Sequence, residues 1–346
     1  MTFKAFSNRR TRRMTHAPCK SIKAIEFFSG VGAFSQALTT MGHCPIEVVA
    51  AFDQNHEANR VYLQNYGHGP ITRNLASVKS DDICSSDFWW LSPPCTPYSI
   101  RGKRRDDEDP RSKAFLNLLS LLPEALPGYL IVENVLGFES SRTFKRMERC
   151  LDECGYRQRL VKLCTTDFNV PMRRPRVFVV ASRQTRERGD LAYEEESMPS
   201  FSEYKDERAL VDYLGDLDNP AYNVNPSIVE RYRQVMNIVD PFDPETILIC
   251  FTRGYFRCKQ AGGSLLRFGD AETLLPVRYV SPTDIAKLLG FSEQFSFPAD
   301  MTDTTRWRLI GNSVDVRAIR YLLGLLGFKN QNRSVELHTD LIRPPD

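Results

Sequence analysis

A cysteine framed by prolines is the residue of this chain best suited to covalent chemistry. Cys95 lies in the run Ser92, Pro93, Pro94, Cys95, Thr96, Pro97. Three prolines stiffen that loop and fix the direction of the sulfur. A structural cysteine belongs inside the preceding apolar strand; one held between prolines reads as a reactive thiol. Arg101, Lys103, Arg104 and Arg105 follow closely. They could favour a thiolate or grip phosphate. Asp106, Asp107, Glu108 and Asp109 come next, so a solvated loop of mixed charge is the competing reading. Glu133 ends the apolar run Leu130, Ile131, Val132. A carboxylate there is costly unless it is paired or protonated, which makes it a candidate acid against the plainer reading of a helix cap or ion pair. Arg174 and Arg176, on either side of Pro175, are candidate partners for Glu133 or for a phosphate, against a surface turn.

A second group of residues points to a nucleoside cofactor. Phe28, Ser29, Gly30, Val31 and Gly32 form a glycine-containing turn. Glycines let the backbone approach a ligand, and a following helix offers free N–H groups. Asp53 lies 21 residues beyond Gly32, where a carboxylate can accept hydrogen bonds from ribose hydroxyls. The Gly-x-Gly order without a third glycine fits a dinucleotide site poorly, and a merely tight turn competes with the cofactor reading.

The elements that must position these residues alternate. Strands are expected at 24–28, 47–52, 88–91, 129–132 and 177–181, and helices at 33–41, 56–66, 112–122 and 143–154. This rhythm is that of a doubly wound α/β sheet with a mainly parallel core, which binds ligands at the carboxyl ends of its strands. After about residue 182 the rhythm breaks into charge, Pro, Asn and Tyr, and helical patterns return at 282–290 and 313–326. The expected organisation is a basic, disordered arm at 1–22, a catalytic and cofactor-binding domain at 23–182, a smaller domain at 183–275, a segment at 276–328 that returns to the first domain, and a tail at 329–346.

Composition narrows the class. The chain has 346 residues, 42% hydrophobic and 26% charged, as soluble globular proteins do. It has no apolar run of about 18 residues for a membrane span. Nine scattered cysteines without a Cys-x-x-Cys pair argue for a reducing compartment and against a zinc or disulfide framework. The net charge of +3 is uneven: residues 1–25 hold seven basic residues and no acid, leaving 39 basic against 43 acidic residues elsewhere. A nucleic acid must therefore meet a local basic face. The arm itself reads as a flexible tail, a nucleic-acid-binding or nuclear-localising segment, or an Arg-rich mitochondrial presequence.

Five motifs in order then carry a resemblance: Phe-x-Gly-x-Gly, Pro-Pro-Cys, Glu133-Asn134-Val135, Arg174-x-Arg176 and Gly311-Asn312-Ser313-Val314. The chain resembles the cytosine-5 methyltransferases over 23–182 and 277–326. Cys250, Phe251, Thr252, Arg253, Gly254 and Tyr255, with 285–291 and the short length, make it most similar to the tRNA-directed DNA methyltransferase 2 branch. Thr96 departs from the Gln common there, and the N-terminal arm is longer. The resemblance implies a Rossmann-like S-adenosylmethionine-dependent fold with a target-recognition domain, and methylation of cytosine 38 in a tRNA anticodon loop, notably that of aspartate tRNA. It assigns Cys95 as the nucleophile, Glu133 as the proton donor to the ring, Arg174 as the residue steadying Glu133 and the ring carbonyl, and Arg176 as support for the same wall. Phe28, Gly30, Gly32, Asp53, Asn312 and Ser313 would bind S-adenosylmethionine. Arg101, Cys250, Phe251, Thr252 and Tyr255 would meet the substrate, with burial of Phe251 and Tyr255 in the core as the alternative. It further implies a monomer in the cytoplasm or nucleus. A DNA cytosine-5 methyltransferase shares the whole catalytic set. A binding protein that has lost turnover and a nicotinamide or flavin oxidoreductase fit less well.

Overall fold

The computed structural model describes residues 21–328 except 43, 84, 99–104, 184–198, 216, 258–261 and 269–275. Arg101, Lys103, Arg104, the basic arm before residue 21 and the tail from 329 lie outside the described residues.

The first half alternates as expected. Strand β1 (Ile22–Phe27) leads through the glycine turn into helix α1 (Ala33–Thr40). Strand β2 (Ile46–Phe52) leads into α2 (His56–Tyr66), whose N-terminus is capped by Asn55. Next come β3 (Phe88–Leu91), α3 (Lys113–Ala125), β4 (Tyr129–Asn134), α4 (Arg142–Glu153), β5 (Arg157–Leu163), the two-residue β6 (Met172–Arg173) and β7 (Arg176–Ser182). Six strands form one sheet in the order β2-β1-β3-β4-β7-β5. Neighbours from β2 to β4 run parallel, and β7 runs antiparallel to both β4 and β5.

Period-two alternation splits each central strand between two cores, as a sheet covered on both faces requires. In β3, Phe88 and Trp90 join the core that contains α1 and the C-terminal helices, whereas Trp89 and Leu91 join the core beneath α3 and α4. Among the longer elements of this sheet and its helices, two differ from the sequence reading. Helix α3 runs past Pro123 to Ala125. A proline cannot bond to the carbonyl four residues back, and that carbonyl, on Leu119, instead accepts from the Cys150 thiol of α4 at 3.3 Å. Strand β5 was not expected, because its charged residues mask a sheet-edge strand; such charges are common on edges.

Beyond β7 the chain forms short elements: α5 (Leu210–Tyr213), α6 (Pro226–Tyr232), β8 (Ile238–Val239), β9 (Leu248–Ile249), β10 (Leu265–Arg267) and β11 (Val277–Tyr279). Strands β11, β10 and β8 make a small sheet, and β9 pairs with β6. Part of the segment assigned to the smaller domain packs on the main body: Phe201 stacks on Tyr321, and Asp206 pairs with Arg317. Helices α7 (Pro282–Leu288), α8 (Asp303–Ile310) and α9 (Val316–Leu325) close the described fold, with α9 lying along α1. No helix among the described residues is long and apolar enough to cross a membrane.

Candidate active site

The carboxyl ends of β1, β2, β3 and β4 gather most of the residues singled out from sequence. At the end of β3 the proline loop turns outward, and Cys95 is exposed. The loop is held from both sides. Ser92 bonds through its N–H to Phe27 O at 3.3 Å and through its hydroxyl to Phe28 O at 3.1 Å. Asn134, buried at the end of β4, donates to Pro93 O at 3.2 Å. Sequence reasoning gave Asn134 no role; its signal was its place beside Glu133 on a strand end.

Glu133 pairs with Arg176, Nε to Oε1 at 3.1 Å, and the two side chains are 12% and 15% exposed. The register explains the pair. Glu133 stands opposite Phe178 across β4 and β7, so Arg176, two residues away on the same face, is its diagonal neighbour. This corrects the expected division of labour between the arginines. Arg174 does not steady Glu133 by contact. Its backbone donates to the Thr165 hydroxyl, and its guanidinium donates to Cys250 Sγ at 3.2 Å, to Phe251 O at 2.7 Å, to Gly311 O at 3.0 Å and to Ser313 O. Here too the backbone decides: Arg173 in β6 is in register with Ile249 in β9, so the next residues on each strand, Arg174 and Cys250, meet.

The electrostatics are coupled. Burial pushes the Glu133 carboxyl above its ordinary pKa, against the opposing charges of Arg176 and Arg174. The Cys95 thiol is also raised, first by the protein packed around it and then by the Glu133 charge, while Arg176 and Arg174 pull it down. Cys250 moves the other way: despite burial, the Arg174 and Arg176 charges lower its pKa.

The cofactor residues split into two kinds. Phe28, with φ 57, and Gly30, with φ 54, both occupy the left-handed region. At Gly30 a Cβ would meet nothing within 4 Å, so the backbone there opens onto space. Gly32 is required by packing instead: at φ +86, a Cβ would lie 2.2 Å from the Tyr66 ring. Asp53 accepts from Gly30 N and Asn55 N, each at 2.8 Å. Each oxygen keeps a lone pair for a hydroxyl. Burial raises its pKa. The hydroxyl oxygens of Ser29 and Ser313 are buried without a hydrogen-bond partner among the described residues, and Asn312 is exposed. A carboxylate with lone pairs to spare, an open glycine and two orphaned hydroxyls fit a nucleoside with a polar tail.

Glu26 was missed, although a carboxylate inside the apolar strand Ile22–Phe27 was a visible signal. It is fully buried beneath the glycine turn. Its Oε2 accepts from Ser35 at 2.7 Å and from Tyr62 at 3.0 Å, and its Oε1 has no partner among the described residues. Burial pushes its pKa up to about 7.

The expected substrate contacts also divide. Phe251 and Tyr255 are 1% and 3% exposed and pack edge to face. The Tyr255 hydroxyl donates to Ser264 O at 2.6 Å. Both rings are therefore core, because their turn folds back over Gly263, whereas Cys250 and Thr252 are half-buried. Gly311 presses on the Thr252 backbone, where a Cβ would come within 2.5 Å.

Known proteins are similar to this chain over most of its length. Residues 22–248 match the family described as C-5 cytosine-specific DNA methylase. The tRNA (cytosine(38)-C(5))-methyltransferase of Schizosaccharomyces pombe is 32% identical over 329 residues, covering 89% of this chain and 97% of the relative. The protein of the same description from Mus musculus is 29% identical, covering 90% and 95%. The crystal structure of the S. pombe Dnmt2 methyltransferase superposes with a TM-score of 0.75 at 31% identity, covering 88% of this chain and 98% of that one.

Proposed function

The chain belongs to the C-5 cytosine-specific DNA methylase family, and we propose that it methylates carbon 5 of a cytosine in RNA, namely cytosine 38 of a tRNA anticodon loop, through a covalent bond to Cys95. The observation that carries the reading is an exposed thiol on a rigid strand-end loop, electrostatically coupled to a buried Glu133–Arg176 pair. The full-length relatives, named for cytosine 38 of tRNA, favour RNA as the substrate.

S-adenosylmethionine would supply an electrophilic methyl group. Phe28, Gly30 and Asp53 would hold its nucleoside side, and Asn312 and Ser313 its amino-acid end. Carbon 5 of cytosine is a poor nucleophile until a thiolate adds to carbon 6. Cys95 makes that bond, and Glu133 in its acid form gives a proton to ring nitrogen 3, where charge gathers. A proton moved from Cys95 to Glu133 removes the negative charge that opposes the thiolate, so one transfer prepares both groups. Arg176 holds Glu133 in place. After methylation nitrogen 3 returns its proton to Glu133, a base such as water takes the carbon 5 proton, and the carbon–sulfur bond breaks to release Cys95 as its thiolate. The anticodon loop is already single-stranded, so presenting the base costs less than in a duplex.

The test is transfer of labelled methyl from S-adenosylmethionine into total tRNA and into genomic DNA at one salt concentration, with the product base mapped. Methylation of tRNA at position 38, lost in Cys95→Ala, is expected. A tRNA carrying 5-fluorocytosine should remain bound to the wild-type protein after denaturation, because no proton can be lost from its carbon 5. Robust labelling of DNA with none in tRNA would move the assignment to DNA.

A further inference from the structure

Burial of Phe251 and Tyr255 leaves a different ring of the same turn at the surface. Phe256 is 39% exposed. One side of it stacks on Trp307, with centroids 5.3 Å apart and planes 10° from parallel. It also leans on Tyr279 at 5.3 Å. Trp307 is itself buried, and its indole N–H donates to Val280 O at 2.8 Å. The exposed ring thus rests on a fixed aromatic base.

Its position follows from contacts already described. Gly311 N bonds to Trp307 O at 2.9 Å, so Trp307 lies one helical turn before Gly311. Gly311 abuts the start of the Phe256 turn, and Arg174 ties Gly311 to Phe251. Phe256 therefore lies in the turn that Arg174 and Gly311 anchor, four residues beyond Thr252. Its neighbours along the turn are basic, and the carboxylate one helical turn before Trp307 on α8, Asp303, is paired with Arg306 at 3.1 Å. Arg253 and Arg257 bracket it in the turn, and Arg308 is exposed on α8 next to Trp307; no acidic residue occurs between 250 and 257. A rigid aromatic ring among exposed arginines is how single-stranded nucleic acid is held without base-specific hydrogen bonds.

Resting on the RNA reading above, we propose that Phe256 is a stacking platform for a base neighbouring the target cytosine, with Arg253, Arg257 and Arg308 reaching the flanking phosphates. Base–aromatic stacking predicts a loss of affinity of roughly tenfold when the ring is removed.

The experiment measures the dissociation constant for an unmodified tRNA transcript, and the single-turnover methylation rate at saturating RNA, in the wild type, Phe256→Leu and Phe256→Trp. Leucine keeps Trp307 covered but cannot stack; tryptophan can. Phe256→Leu should weaken binding about tenfold with a smaller change in the saturated rate, and Phe256→Trp should retain affinity. A synthetic anticodon stem-loop made abasic at one loop position at a time adds a second arm. At the stacked position the abasic RNA should bind Phe256→Leu and wild type alike. Melting temperature and S-adenosylhomocysteine binding report whether each variant is folded. If the wild type methylates tRNA and Phe256→Leu binds it equally well, or if both variants lose affinity equally at every loop position, the platform is wrong while the tRNA reading stands. If the wild type neither binds nor methylates tRNA, both fall.

Discussion

At the scale of single residues, the chemistry rests on charges that share one small volume. Arg174 and Arg176 act electrostatically on Cys95, Glu133 and Cys250, and Glu133 acts on Cys95. The Glu133 charge raises the Cys95 thiol, so Glu133→Gln should lower it. Peptide-resolved alkylation of Cys95 against pH should show its midpoint moving down in Glu133→Gln and up in Arg176→Met. An unchanged midpoint in both would mean that the carboxyl and the thiol do not communicate. Glu133→Gln should also be slow in methyl transfer, because an amide cannot donate the ring proton. Glu26 offers a second residue-scale test. Its folded pKa of about 7 lies above the ordinary carboxylate value of 4.5. The folded state therefore binds the proton more tightly than the unfolded chain, and stability falls as pH rises between those values. Glu26→Gln should leave stability nearly unchanged at pH 5 and raise it at pH 8, by on the order of 3 kcal/mol from the size of the shift. Its amide can still bond to Ser35 and Tyr62. Denaturant unfolding at the two pH values measures this, and equal effects at both would contradict it.

At the scale of elements, two backbone pairings decide which arginine does what. The β4–β7 register delivers Arg176 to Glu133, and the β6–β9 pairing delivers Arg174 to Cys250. Gly311 belongs to the same scale, since it lets the end of α8 touch the Thr252 backbone. Gly311→Ala sets a methyl against main-chain atoms that cannot rotate away. It should destabilise the protein by about 1–3 kcal/mol, as overpacking does, and should weaken S-adenosylhomocysteine binding through the neighbouring Ser313. A melting temperature equal to that of the wild type would show that the two segments separate freely. Legibility in the sequence also divides along these lines. The strands β1 to β4 and β7 were readable because apolar runs end in turn residues, and they carry or lead into Cys95, Glu133, Asp53 and the glycine turn. The charged edge strand β5, the polar helix α8 and the two-residue strands were not, because their pairing is set by tertiary contacts rather than by periodicity. The division of roles between Arg174 and Arg176 depends on those same pairings, so it too lay beyond the sequence. Likewise, three aromatics within six residues, Phe251, Tyr255 and Phe256, gave no sign of which would be exposed.

At the scale of the whole molecule, Arg174 joins three stretches of chain that are far apart in sequence. Its own segment leads into β7 of the large sheet, Phe251 belongs to the irregular unit, and Gly311 and Ser313 lead into α9. Its side chain is buried, and three backbone carbonyls turn inward to meet it. Carbonyls left without that donor could not be rehydrated without opening the structure, and each orphaned group costs about 1–3 kcal/mol. Lysine at this position could reach some of the acceptors but not fan out to all of them, because its ammonium is a single point rather than a planar fork. Arg174→Lys should therefore lower the melting temperature by several degrees, and Arg174→Met by more. Both losses should hardly depend on salt, since the guanidinium is shielded from ions in solution. Arg176→Lys, which keeps a cation beside Glu133 and leaves the three-way junction intact, should change methyl transfer more than melting. The opposite pattern, with melting sensitive at 176 and indifferent at 174, would show that Arg174 serves the reaction rather than the junction. The expected pattern would mean that one buried cation holds the three-way junction together, while Arg176 beside it acts on Glu133.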